Sequence, residues 1–237
     1  MLHRCKEWPI GLLSLWALTP VAQAISVGEI TSLIHADQTM LAKEIENTVD
    51  GARLVSLRIE RISSPMEGGA VLPLEQEAEI LSTPANLILP GNAKDIFRIF
   101  YDGPKDDQER YYRLNWQDNP VQEDALTKTA KAATATTSAS IGTILVVAPR
   151  QEQFRYEYQN GAVYNRGNVT FRVVAFGPCK GLNLNEQTIC HERYYVMPDV
   201  GVRLKFGTLT DRKAHIGIWH RDQFITVKDG VSAEAVK

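Results

Sequence analysis

The side chains able to do chemistry in this chain are few and far apart. Past residue 24 the histidines are His35, His191, His215 and His220; they form no His-Glu-x-x-His pair and no compact cluster with cysteine or carboxylate, so no metal-ligating set is expected. His215 and His220 bracket Trp219, and their odd spacing sends them to opposite faces of a regular strand, which makes structural roles the simpler reading. There is no Gly-x-Ser-x-Gly elbow, no phosphate-cradling glycine loop and no Cys-x-x-Cys pair. No catalytic residue and no cofactor are therefore expected, although a triad assembled only in space would leave no such trace. Asn168-Val169-Thr170 matches a glycosylation sequon, but a turn leading into a strand is reason enough for the asparagine.

What the sequence offers instead is main chain. Ser138-Ala139-Ser140-Ile141-Gly142-Thr143-Ile144-Leu145-Val146-Val147-Ala148-Pro149-Arg150 opens with small and hydroxylated residues, becomes a β-branched run and stops at a proline. That pattern predicts one long strand ending at a hinge. The residues before it, from Thr127 to Ser140, carry no large apolar side chain and cannot by themselves offset the entropy of being ordered. A strand anchored at one end and underpacked at the other can lend backbone hydrogen bonds to a partner.

The elements that must position this strand follow from the rest of the chain. Residues 1–24 have a basic start, an apolar middle and Ala22-Gln23-Ala24 as a small-residue cleavage site, the signature of a secretory signal peptide. Their apolar run is short for a membrane span, and nothing later approaches that length, so an exported chain with no membrane anchor is expected. In an oxidising compartment, Cys179 and Cys190, beside turn residues, are expected to pair across a hairpin, with two free thiols as the alternative. A net charge of −2 with interspersed signs argues against nucleic acid as a partner.

From Ile25 to Pro149 short alternating runs recur between turns: Ile25–Ile34, Arg53–Ile62, Leu87–Leu89, Asp95–Tyr101, Glu109–Trp116 and the long strand. Met40–Asn47 fits a helical turn or a strand, and its turn-rich end followed by the strict alternation of Arg53–Ile62 favours two antiparallel strands. Tyr111, Tyr112 and Trp116 read as core rather than as a binding platform. The rhythm restarts at Phe154 and runs to Val227. Two immunoglobulin-like β-sandwiches are expected, residues 25–149 and 150–229, with a loose tail over 230–237.

With these residues in view, the chain resembles the periplasmic chaperones of the chaperone-usher pilus pathway. The resemblance rests on the leader, the two sandwiches, the segment Leu87-Ile88-Leu89-Pro90-Gly91-Asn92-Ala93-Lys94-Asp95-Ile96-Phe97-Arg98-Ile99 and the strand ending Val147-Ala148-Pro149-Arg150. Tyr164-Asn165-Arg166-Gly167-Asn168-Val169 and the strand to Cys179 resemble the "alternate" branch, and Ile141–Gln151 is most like the B-type chaperones of the enterobacterial common pilus. The resemblance implies an L- or boomerang-shaped pair of domains in the periplasm. Its long strand would complete the unfinished sandwich of a pilin subunit, and an outer-membrane usher would receive the load. The period-two register implied for the donor puts Ala135, Thr137, Ala139, Ile141 and Thr143 toward the pilin. Free chaperone could self-associate through the same strand.

The family also holds the subunit's terminal carboxylate with two basic residues, but the matching positions here are Thr31 and Ile144. Arg150 at the hinge is the substitute by position, with Arg58 and Lys131 as further candidates, or else Arg150 is a solvated hinge residue. Two other classes compete: a structural pilus subunit or tip adhesin, and a secreted hydrolase on a sandwich scaffold. The two complete strand sets weigh against the former, and the missing reaction centre against the latter.

Overall fold

The computed structural model describes residues 24–121, 137–179, 189–206 and 212–228, and every regular element in them is a β-strand. The leader, the tail, Lys131 and Ala135 lie outside the described residues. The strands of the first half are β1 (Ile25–Ser26), β2 (Thr31–Ile34), β3 (Met40–Asn47), β4 (Arg53–Ile62), β5 (Val71–Leu72), β6 (Ile80–Thr83), β7 (Asn86–Leu89), β8 (Lys94–Tyr101), β9 (Arg110–Pro120) and β10 (Ala139–Val147). The second half supplies β11 (Tyr156–Gln159), β12 (Ala162–Asn165), β13 (Phe171–Pro178), β14 (Ile189–Val196), β15 (Gly201–Arg203), β16 (His215–His220) and β17 (Gln223–Thr226).

Alternation decides which face of each strand is buried. In the first sandwich a sheet in the order β1-β3-β8-β6 faces a larger one in the order β2-β10-β9-β4-β5, with β7 also pairing β4. Ile45, Phe97 and Ile99 of one sheet share a core with Val55, Leu57, Leu114, Trp116 and Leu145 of the other. Trp116 is fully buried and meets Phe97 edge-on, ring centroids 5.2 Å apart, as expected for a core aromatic rather than a platform. In the second sandwich a β11-β12-β15 sheet faces β14-β13-β16-β17 around Phe154, Tyr156, Phe171, Val173 and Ile218. His215 lies on the outer face beside Phe176, whereas His220 stacks on Phe154. Cys179 and Cys190 form a disulfide where β13 and β14 begin to part, Cα atoms 5.0 Å apart.

Two local expectations are corrected. The opening run Ile25–Ile34 is not one strand: β1 pairs β3 in one sheet, while β2 pairs β10 in the other. The chain crosses between them through Gly28, whose φ of +66° suits glycine. Met40–Asn47 and Arg53–Ile62 are both strands but not partners, since β3 pairs β8 and β4 pairs β9. Each buries an apolar row, and packing two such rows face to face covers more apolar surface than laying them side by side. The turn between them is held by buried Asn47, whose side-chain amide donates to the carbonyls of Gly51, Leu89 and Pro90.

Trp116→Ala is expected to destabilise the first sandwich by about 3–5 kcal/mol, because it opens a cavity and orphans the hydroxyl of Thr143. Urea denaturation followed by circular dichroism checks this, and a loss below about 1 kcal/mol would place the weight of this core elsewhere.

Candidate strand-donor edge and interdomain cleft

β10 has two edges, and among the described residues only one is fully paired. Along Ala139–Val147 it pairs antiparallel with β9, whereas β2 covers its other edge only from Ile144 to Val147. Ile144 N donates to Ile30 O at 2.7 Å and Ala148 N to Ile34 O at 2.9 Å, so the main-chain groups of even-numbered residues face the β2 side. By the same alternation Ser140 and Gly142 direct their N–H and C=O groups at the part of that edge which β2 does not cover. Both residues are exposed, and nothing stands within 4 Å of where a side chain on Gly142 would begin.

The side chains of the odd-numbered residues turn toward the chain's own core. Ala139 and Ile141 are half-buried, Ile141 against the core cluster. Thr143 is fully buried and accepts a hydrogen bond from Trp116 Nε1 at 3.0 Å. The expected register is therefore corrected at Thr143, whose side chain is committed to its own sandwich. Thr137 is exposed, and its carbonyl is held by Arg53 Nη2 at 2.7 Å.

What leaves the edge open is the crossover before β2. Buried Lys43 reaches from β3 to donate to Glu29 O at 2.6 Å and to the Ser32 hydroxyl at 3.2 Å, pinning the segment that carries Ile30. Burial pushes the Lys43 ammonium below its ordinary range.

The candidate anchors are distributed differently from expectation. Arg58 is on the outer face of β4, paired with Glu60 at 3.2 Å, and is an exposed surface ion pair. Arg150 is engaged by its own chain: Nη1 donates to the carbonyls of Ala36 (2.6 Å), Gln38 (2.8 Å) and His35 (3.3 Å), and the guanidinium lies 5.6 Å from the Tyr101 ring centre. It is a staple across the hinge rather than a solvated arginine, held through Nη1 alone; its buried Nη2 has no hydrogen-bond partner among the described residues.

The residue that the sequence reading missed is Arg172. A cavity of about 190 Å³ lies between the sandwiches, with Glu29, Thr31, Leu33 and His35 on one wall and Arg172, Tyr195, Trp219 and Arg221 on the other. Arg221 is held in a two-pronged pair with Glu152, 2.9 and 2.7 Å, which raises its pKa. Arg172 lies 5.9 Å from the Trp219 ring centre; its buried Nε has no hydrogen-bond partner among the described residues. Nothing in its neighbourhood in sequence, Phe171-Arg172-Val173, distinguishes it from any other outward strand residue.

Polar contacts fix the cleft walls. Glu109 accepts from Thr170 N at 2.6 Å, from the Thr170 hydroxyl and from Tyr111 OH at 2.6 Å, while burial raises its pKa. Asn168 donates to Asp107 O at 3.0 Å and Gln151 O at 2.9 Å, and Arg150 N donates to Asp106 O at 2.8 Å. Among the described residues there is no cluster of His, Cys, Asp or Glu able to hold a metal, and no helix long and apolar enough to cross a membrane.

Comparison with known proteins gives a consistent picture. A family model described as the EcpB C-terminal domain matches residues 154–227. A probable fimbrial chaperone EcpB of Klebsiella pneumoniae is 44% identical over 219 residues, 92% of this chain and 97% of that protein. Its Escherichia coli counterpart is 44% identical over 224 residues, 94% of this chain and 100% of that protein. Two solved structures share the fold: the Salmonella enterica SafB chaperone in complex with SafA pilin (TM-score 0.51, 16% identity, 92% of this chain and 99% of that chain) and the class 5 fimbriae chaperone CfaA (TM-score 0.50, 15% identity, 90% and 99%).

Hydrogen bonds from Arg110 hold the Asp106 carboxyl down at about 2, below its ordinary value near 3.8. A depressed folded-state pKa means that its contribution to stability is present above about pH 4 and is lost as pH falls through about 2. Asp106→Asn should therefore lower the melting temperature above pH 4 and converge on the parent near pH 2. Thermal melts across that range check this; a pH-independent difference would mean that the carboxylate charge is not what stabilises the fold, and no difference at any pH would leave Asp106 acting through its backbone carbonyl alone.

Proposed function

The chain belongs to the EcpB family of fimbrial chaperones, and from that premise we propose that it binds pilin subunits in the periplasm by lending them the open edge of β10, then passes them to an outer-membrane usher. It acts by binding and hand-over and has no reaction of its own. The observation that carries the reading is the unequal coverage of β10, which leaves the main chain of Ser140 and Gly142 free to pair with an incoming strand.

The geometry supports an orientation for that strand. From Ile144 onward β2 occupies the edge, so an added strand must end where β2 begins, at Ile30 and Thr31. Thr31 also lines the cleft opposite Arg172. A strand parallel to β10 brings its C-terminal carboxylate to an unpaired guanidinium, whereas an antiparallel one brings an ammonium. We assign Arg172 as the anchor ahead of Arg150, whose Nη1 is taken by three carbonyls, and of Arg58, which pairs with Glu60 on the outer face; Lys131 lies outside the described residues. The donor side chains are then Ala139 and Ile141, whose exposed portions continue the core face beyond Thr143. The alternative of a structural subunit fits less well, since each sandwich has a filled core of its own.

Coexpression with the cognate pilin and affinity purification from the periplasm test this. Gly142→Pro removes one N–H from the open edge and none from the β9 ladder, and should cut pilin recovery at least about tenfold while changing chaperone stability by less than about 1 kcal/mol. Normal recovery would refute strand lending at this edge. Arg172→Ala should weaken capture by about tenfold or more and Arg58→Ala should not; equal recovery for both would remove Arg172 from the anchor.

A further inference from the structure

Arg53, Asp118 and Pro120 meet where β10 joins its sheet. In the β10–β9 register Ala139 stands opposite Asp118, so one more step of the same ladder sets Thr137 opposite Pro120. Odd-numbered residues of β10 bond toward β9, as the contacts of Ile144 and Ala148 with β2 require. The phase is confirmed from the other side: Val121 N donates to Ala52 O, so odd-numbered residues of β9 bond toward β4 and even-numbered ones, Pro120 among them, toward β10. The Thr137 carbonyl thus faces the one residue type that has no N–H to give.

A side chain fills that gap. Arg53 is directly opposite Pro120 on β4. Its Nε and Nη2 hold Asp118 at 2.6 and 2.9 Å, and Nη2 also donates to Thr137 O at 2.7 Å. Asp118 is fully buried and Arg53 is 7% exposed. A buried ion pair is seldom more stabilising than an apolar pair of the same volume, so stability alone does not account for it. The bridge to a backbone carbonyl does.

We infer that Arg53 is a positioning residue: it supplies from a side chain the donor that Pro120 cannot, and so fixes the point at which the chain joins β10 and the register in which Ser140 and Gly142 meet a pilin. This rests on the strand-lending reading. Pro120 stops the β9 ladder from running further along the chain, and the guanidinium replaces a single bond at the stop. The ladder ends at a defined residue rather than fraying.

The test uses the full chain as exported. Arg53→Met with Asp118→Leu removes the bridge without stranding a buried carboxylate, and adding Pro120→Ala returns an N–H at the vacant position. Amide exchange over Thr137–Ala139 should be about tenfold faster in the double variant and return to the parent rate in the triple, with pilin recovery following the same order. Unchanged exchange in the double variant overturns the clamp. Faster exchange with undiminished recovery overturns its positioning role but leaves strand lending intact, whereas normal capture by Gly142→Pro sinks strand lending whatever the clamp does. Should the double variant not fold, Arg53→Lys is compared in the parent and Pro120→Ala backgrounds: faster exchange only in the parent supports the clamp, and equal exchange in both overturns it.

Discussion

The opening segment of the chain is divided between two sheets, and the four-residue parallel pairing of β2 with β10 that results decides everything downstream. Were the segment one continuous strand along β10, every main-chain group of that edge would be satisfied and there would be nothing to lend. Because Ile25 and Ser26 pair with β3 instead, β2 covers the edge only from Ile144 on. A bare edge is a hazard that most proteins blunt with charge or proline. Here, among the described residues, it is left bare at Ser140 and Gly142, small residues that let another backbone come close. The Lys43 contact with the Glu29 carbonyl keeps the crossover from closing over it.

Beside the edge, polar staples join the two sandwiches, whose buried cores form separate clusters among the described residues. Arg150 binds three carbonyls of the loop after β2, Glu109 takes both donors of Thr170, and Asn168 ties Asp107 to Gln151. These contacts are directional, so they hold the two walls of the cleft at a set separation while leaving it open. Arg150 Nη1 is spent on this task, and Arg172, whose buried Nε has no hydrogen-bond partner among the described residues, lines the cleft from the second sandwich.

Much of this was legible in order along the chain. Strict alternation in Arg53–Ile62 places Val55, Leu57 and Ile59 on one face, of which Val55 and Leu57 are buried, and β-branched Ile144–Val147 reads as strand. Turn residues separate nearly all the runs, and Cys179 and Cys190 lie at the ends of neighbouring strands that join in a disulfide. The likeness of Ile141–Gln151 and Tyr164–Val169 to pilus chaperones agrees with the family to which the chain belongs. Alternation, however, reports only that two faces differ. It carries no information on which neighbour a strand has or which of its edges is covered, so it cannot reveal that β3 and β4, consecutive in the chain, belong to different sheets.

The sequence by itself therefore determined the class of fold and the approximate extent of most strands, the long one ending at Val147 among them, because these depend on local periodicity and turn chemistry. Tertiary structure alone decided that Thr143 faces its own Trp116, that Arg150 is caged by carbonyls and that Arg172 stands opposite Thr31. Each of these is a meeting of residues distant in the chain, and whether a polar group is free or spent is a property of what packs against it.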